Sequence, residues 1–98
     1  MSNGVIKVDE ASLNAFRNSF KKAGDSYMTQ LKGLTAFIEE VTKGHIQGDP
    51  AIQILNKYNE KKAVFKNILD IIDEGYGYMG LKTKDFSQTL SNIKGSMK

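Results

Sequence analysis

Ninety-eight residues, 40% hydrophobic and 26% charged, suit one globular domain spanning 1–98 and argue against a chain disordered throughout. With no cysteine and a single histidine, a disulfide, a catalytic thiol and a thiolate-bound structural metal are excluded. The net charge of +3 is confined to the tail: residues 1–80 carry 10 basic and 10 acidic side chains, whereas 81–98 carry Lys82, Lys84, Lys94 and Lys98 against Asp85 alone. That placement reads as a solubilising tail and not as the basic stripe of a nucleic-acid binder. No apolar run reaches the length of a membrane span, so stable membrane insertion is not expected, and the first residues lack the pattern of a secretory signal.

In chain order, Val5-Ile6-Lys7-Val8 reads as a short extended lead, and Asp9 as an N-cap with Glu10 adding favourable charge to the first turn. A first helix is predicted over about 10–43. Leu13, Phe20, Tyr27, Leu34 and Val41 recur every seven residues, Phe16, Ala23, Gln30 and Phe37 follow three residues on, and Leu31 and Ile38 widen the stripe. At about 1.5 Å per residue this helix is roughly 50 Å long. The chain turns over 44–49: Gly44 suits the left-handed residue that ends a helix, Asp49 suits an N-cap, and Pro50 the first helical position. So short a connection makes the two helices antiparallel neighbours.

The second helix, from Pro50 to about 74 or beyond, carries Ile54, Tyr58, Phe65, Leu69 and Ile72 on one stripe, with Ala51, Leu55, Val64, Ile68 and Ile71 beside it. A single facing helix cannot cover so broad an arc, and the economical solution is a second hairpin. The predicted fold is therefore all-α: an antiparallel two-helix hairpin with a short C-terminal helical segment, pairing into a four-helix bundle. Phe16, Phe20, Tyr27, Val64, Phe65, Ile68, Leu69 and Ile72 are the predicted partner interface.

Gly75-Tyr76-Gly77-Tyr78-Met79-Gly80 matches the G-x-G-x-x-G pattern of dinucleotide loops, but a helix and not a strand precedes it, so no cofactor is expected. The glycines are read as weakening, kinking or ending the second helix, or as letting another backbone approach while Tyr76, Tyr78 and Met79 keep packing. Leu81, Phe86, Leu90 and Ile93 are spaced for a last segment over 81–94, with Gly95-Ser96-Met97-Lys98 fraying. His45 lies in the turn, without the supporting helix face a phosphotransfer histidine needs. Glu39-Glu40 and Asp73-Glu74 point about 100° apart and read as solvated edges. No catalytic constellation and no metal site emerges, and the expectation is a non-enzyme.

Two long helices in about 100 residues, a turn ending in x-Gly, a restart as Asp49-Pro50-Ala51 and the lead Ile6-Lys7-Val8-Asp9-Glu10-Ala11-Ser12-Leu13 together resemble the WXG100 or ESAT-6-like proteins of type VII secretion, over residues 5–90. The resemblance implies helical hairpins that pair into four-helix dimers, are exported without a classical signal peptide and are not enzymes. The family's Trp-x-Gly stands here as Ile46-Gln47-Gly48. Its C-terminal Tyr-x-x-x-Asp/Glu signal is incomplete, Leu81 and Asp85 keeping the spacing with leucine in the aromatic place. A member with such a remnant would travel with a partner that completes the signal, as do small helical proteins that accompany LXG-type toxins.

The resulting expectation is a type VII secretion substrate or targeting partner that binds through its apolar stripes to a second copy or to a larger helical effector such as an LXG-type protein. It would be cytoplasmic before export, then secreted or held at the cell surface. The alternatives are a cytosolic helical adaptor or chaperone unrelated to export and, third, a phosphotransfer protein acting through His45.

Overall fold

The computed structural model describes residues 9–97, so the expected lead Val5–Val8 and the final Lys98 lie outside the described residues. The described chain is all-α, with α1 over Glu10–Thr42, α2 over Asp49–Tyr78 and α3 over Lys84–Ser96. Asp9 caps α1 as its position suggests, its carboxylate accepting the Ser12 N–H at 2.7 Å. At the other end Gly44, at φ +82°, donates to Val41 while His45 N–H reaches the Glu40 carbonyl. This Schellman pairing satisfies carbonyls the helix end would otherwise leave open.

The start of α2 differs from the expected Asp49 cap. Gly48 is the cap, at φ +111° and without a side-chain hydrogen bond, which places Asp49 and Pro50 within the first helical turn. The positive φ explains why position 48 is glycine, and Asp49 contributes charge to the helix N-terminus instead of a cap. At its other end α2 extends beyond 74, within the expected range. It runs through Gly75 and Gly77 to Tyr78 and ends in a second Schellman turn, Gly80 at φ +67° donating to Gly77 and Leu81 to Tyr76.

The C-terminal segment also departs from expectation. Leu81-Lys82-Thr83 is a connector, and α3 begins at Lys84 because the Thr83 hydroxyl accepts the Phe86 N–H at 3.0 Å. Gly95 and Ser96 are helical rather than frayed, and Met97 is buried. The tail lysines are not simply solvating: Lys82 pairs with Asp73 at 3.0 Å, and Lys94 pairs with Asp70.

All three helices touch one another. α1 and α2 are antiparallel, and α3 lies along the groove between them, its start beside Asp25 and Tyr76 and its end beside Glu39, Thr42 and Lys62. The core gathers Met28, Leu31 and Ile38 of α1, Tyr58, Leu69, Ile72 and Tyr76 of α2, and Phe86, Leu90, Ile93 and Met97. On α1 the buried stripe is Gly24, Met28, Leu31, Thr35 and Ile38, one residue on from the predicted seam. The physical reason is α3: a helix with two neighbours buries the arc between them, and the predicted seam is left on the flank. α3 likewise covers, within the chain, part of the α2 arc that seemed to need a second molecule. Leu69 and Ile72 belong to this internal core.

Tyr76 joins the three helices. Its ring stacks on Phe86 of α3, with centroids 4.0 Å apart, and meets Phe20 of α1 at 5.8 Å. Its hydroxyl donates toward the Lys21 carbonyl at 2.7 Å and the Asp25 carboxylate at 2.6 Å. Two glycines make room for this: a Cβ on Gly24 would stand 2.8 Å from the Tyr76 ring, and one on Gly75 would collide with the Phe20 ring. Gly33, by contrast, faces open space within α1. Gly75→Ala should therefore destabilise by about 1–3 kcal/mol through displacement of Phe20, whereas Gly33→Ala should stabilise by up to about 1 kcal/mol. Urea unfolding of the two variants checks the opposite signs.

Candidate interaction face

With α3 on one side of the hairpin, the opposite side is left without a covering helix. At about 100° per residue, the α1 positions over that side are those of the predicted seam, Leu13, Phe16, Phe20, Ala23, Tyr27, Gln30, Leu34, Phe37 and Val41, flanked by Ser12, Ser19 and Ser26. None is charged. The α1 charges Arg17, Lys21, Asp25, Lys32 and Glu39 all project toward the α3 side, and Lys22 and Glu40 stand at the far rim. On α2 the same side shows Val64, Ile68, Ile71, Gly75 and Tyr78, again spaced four and three residues apart. Because the helices are antiparallel, this run lies beside the first half of α1.

Exposure separates the predicted interface residues into three groups. Phe16 and Val64 are open to solvent at 57% and 50%, together with Leu13, Ile71 and Tyr78, which the prediction did not include. Phe20, Tyr27, Phe65 and Ile68 are half-buried and pack against the rim of the core. Leu69 and Ile72 are sealed inside it and present nothing to a partner. Leu13 and Ile71 carry a signal in the sequence, since both sit at heptad positions. Tyr78 carries the same signal, seven residues on from Ile71.

The turn motif residues sit at the other end of the hairpin. Ile46 is exposed in the loop, and Gly48 serves as the α2 cap. Leu81 is half-buried, packed against the core, and Asp85 is exposed in the first turn of α3. Their positions follow from chain reversal and helix capping. His45 is exposed and meets the Glu40 carboxylate, and Asp73 is taken up by Lys82. Among the described residues no group of three or more histidine, aspartate or glutamate side chains is placed to hold a metal ion. No helix among them is long and apolar enough to cross a membrane. An open groove of about 640 Å³ lies between α2 and α3, bridged by the Lys94–Asp70 pair. No family model, curated protein or solved structure matches this chain. The face opposite α3 is apolar, and its α1 positions carry no charge.

The titration of the core gives a check on the packing around that face. Burial, the Asp25 hydrogen bond and the Asp25 charge all push the Tyr76 hydroxyl well above the ordinary phenol range. Burial also raises Tyr27 and Tyr58, whose hydroxyls have no hydrogen-bond partner. Burial works to raise Asp25, but hydrogen bonds from Lys21 and Tyr76 and the Lys21 charge outweigh it and hold the carboxylate below its usual range. A raised folded-state value means stability that is complete below the unfolded tyrosine pKa of about 10 and is lost as pH rises above it. Stability measured by urea should therefore fall above about pH 10, and Tyr76→Phe should flatten that fall. For Asp25 the sign is opposite, its contribution being lost as pH drops through the lowered carboxylate pKa.

Proposed function

We propose that this protein is a helical docking module, a non-enzymatic substrate or targeting partner of type VII secretion that binds another helical protein. α1 and α2 contribute two helices to a joint four-helix bundle, and α3 backs them from the other side. The observation that carries this reading is the uncharged face. α1 presents more than seven turns of side chain without a charge, beside an apolar α2 run, while its own charges are segregated to the remaining arc. Exposed large apolar residues in one continuous field mark an interaction surface rather than scattered surface variation. Partner helices with apolar stripes bury such a face by heptad packing. The hairpin with its Ile46-Gln47-Gly48 turn supports the WXG100-like form of the reading, and the Leu81 to Asp85 spacing supports export in company with a partner.

Phe16→Glu and Ile71→Lys test it. Both side chains are exposed, so helix content and melting temperature should hold. Partner affinity should drop on the order of a hundredfold, as for central interface residues. The readouts are co-purification from the parent cell and appearance in the culture medium only when the secretion ATPase is intact. Unchanged co-purification of both variants removes the docking face, and release independent of the ATPase removes the export role.

A further inference from the structure

The fold separates charges that the sequence keeps nearly in balance. Because α1 and α2 are antiparallel and α3 ends beside Glu39, Thr42 and Lys62, residues 29–67 and 88–97 form the turn end of a body 55 Å long. That end carries seven lysines against four acids, whereas the opposite half, 9–28 and 68–87, carries five cations against seven acids. Pairing sharpens the difference. Of the four acids at the turn end, Glu40 is held by His45, Glu60 lies beside Lys57, and Asp49 belongs to the first turn of α2. Among the described residues Lys32, Lys43, Lys61, Lys62 and Lys66 have no carboxylate within ion-pair distance, while in the opposite half Lys21 and Lys82 are matched by Asp25 and Asp73. The same end exposes three isoleucines that the uncharged face does not use. Ile46 stands in the turn, with Ile52 and Ile54 in the first two turns of α2, at 37%, 52% and 44% exposure. Lys43 precedes them and Lys57 follows, about 10 Å along α2 from Pro50 at about 1.5 Å per residue.

We propose that the turn end is a peripheral contact for an anionic bilayer. Ile46, Ile52 and Ile54 enter the boundary between headgroups and acyl chains, and the lysines above them meet the negative headgroups. Charge complementarity selects this occupant: an apolar tip below a set of unpaired cations matches a surface that is negative outside and apolar just beneath. A nucleic acid offers nothing to the isoleucines, and no aromatic side chain stands between Lys43 and Lys57 to stack on a base. The acidic half of the body faces away from the membrane in this pose, so the charge separation also fixes the orientation. The contact is shallow, since no helix among the described residues is long and apolar enough to cross a membrane. It is independent of the docking face, which runs along the side of the hairpin and stays open to a protein partner.

The full chain should co-sediment at low salt with vesicles of mixed phosphatidylserine and phosphatidylcholine, and not with phosphatidylcholine alone. High salt should release it, because the lysines are exposed and screened. Lys43→Glu/Lys61→Glu should lower the vesicle affinity about tenfold or more, and Ile46→Ser/Ile52→Ser should also weaken it. The chain has no tryptophan, so a single one reports which end is immersed. Ile46→Trp should shift its fluorescence to the blue on the anionic vesicles, and Leu13→Trp, at the opposite end, should not. Equal shifts at both positions, binding to phosphatidylcholine alone, or an affinity that the charge reversal leaves unchanged each overturn the inference, as does the absence of binding to anionic vesicles. Retention on polyglutamate as tight as on the vesicles assigns the cations to an acidic protein and overturns it too.

Discussion

Tyr76→Ala should be the most damaging single substitution in the chain, costing about 3–5 kcal/mol. The tyrosine is 1% exposed and is the one side chain in ring contact with both other helices. Its loss leaves a void lined by Phe20, Gly24, Ile72 and Phe86, and the two glycines cannot fill it because neither has a side chain to move. For a domain with a total stability of about 5–15 kcal/mol, that loss brings unfolding within reach of physiological temperature. Tyr76→Phe keeps the ring and deletes only the bonds to the Lys21 carbonyl and Asp25. Asp25 remains half-open to water, so this change should cost about 1 kcal/mol. Urea midpoints at an unchanged slope measure both. If alanine proves no worse than phenylalanine, the ring is not what couples α3 to the hairpin.

The same residue shows where sequence reading succeeds and where it stops. Helix existence was legible because the heptad spacing from Leu13 to Val41 is unbroken and the turn carries Gly44, Gly48 and Pro50. The ends were legible only in part. Gly44 acts as expected because a left-handed terminator needs no partner, but Gly75 and Gly77 sit inside α2, and their reason lies on another helix. Nothing local at position 75 announces that Phe20 will press against it from 55 residues away in sequence. Each sequence reading of these glycines holds in part: Gly80 ends α2 and Tyr76 keeps packing, but it is the Phe20 ring and not a backbone that approaches Gly75, and Tyr78 is exposed.

The buried stripe of α1 is the clearest limit. Periodicity fixes the interval between core residues but not which neighbours the helix has, and the phase of burial depends on the neighbours. With one antiparallel partner, Leu13, Phe16 and Phe20 would have centred the core. With α3 added, Met28, Leu31 and Ile38 do, and Phe16 is left at the surface. The candidate face is therefore what that phase shift leaves outside: the apolar positions predicted as interface, minus Leu69 and Ile72, which α3 takes inside. Leu13, Ile71 and Tyr78 were readable as apolar but not as exposed, because exposure is set by which side α3 occupies.

Ending the chain at Lys82, and so removing α3, should abolish cooperative unfolding of the monomer. Phe86, Leu90, Ile93 and Met97 are all buried, and at about 1.5–3 kcal/mol per buried apolar side chain they contribute of the order of 6–12 kcal/mol, comparable with the whole stability of a small domain. The loss falls on α2 as well, because Leu69, Ile72 and Tyr76 then face water. The uncovered groove has only an intermolecular remedy, so the shortened chain should keep helical ellipticity while gaining mass in light scattering as its concentration rises. Leu90→Ala in the full chain is the milder form of the same test, with an expected cost of about 2–5 kcal/mol and no gain in mass. A shortened chain that stays monomeric and melts at the full-length midpoint would mean that α3 is an ornament on a self-sufficient hairpin. The α2 arc would then need a partner on both of its sides, and the segregation of roles between α3 and the uncharged face would fail.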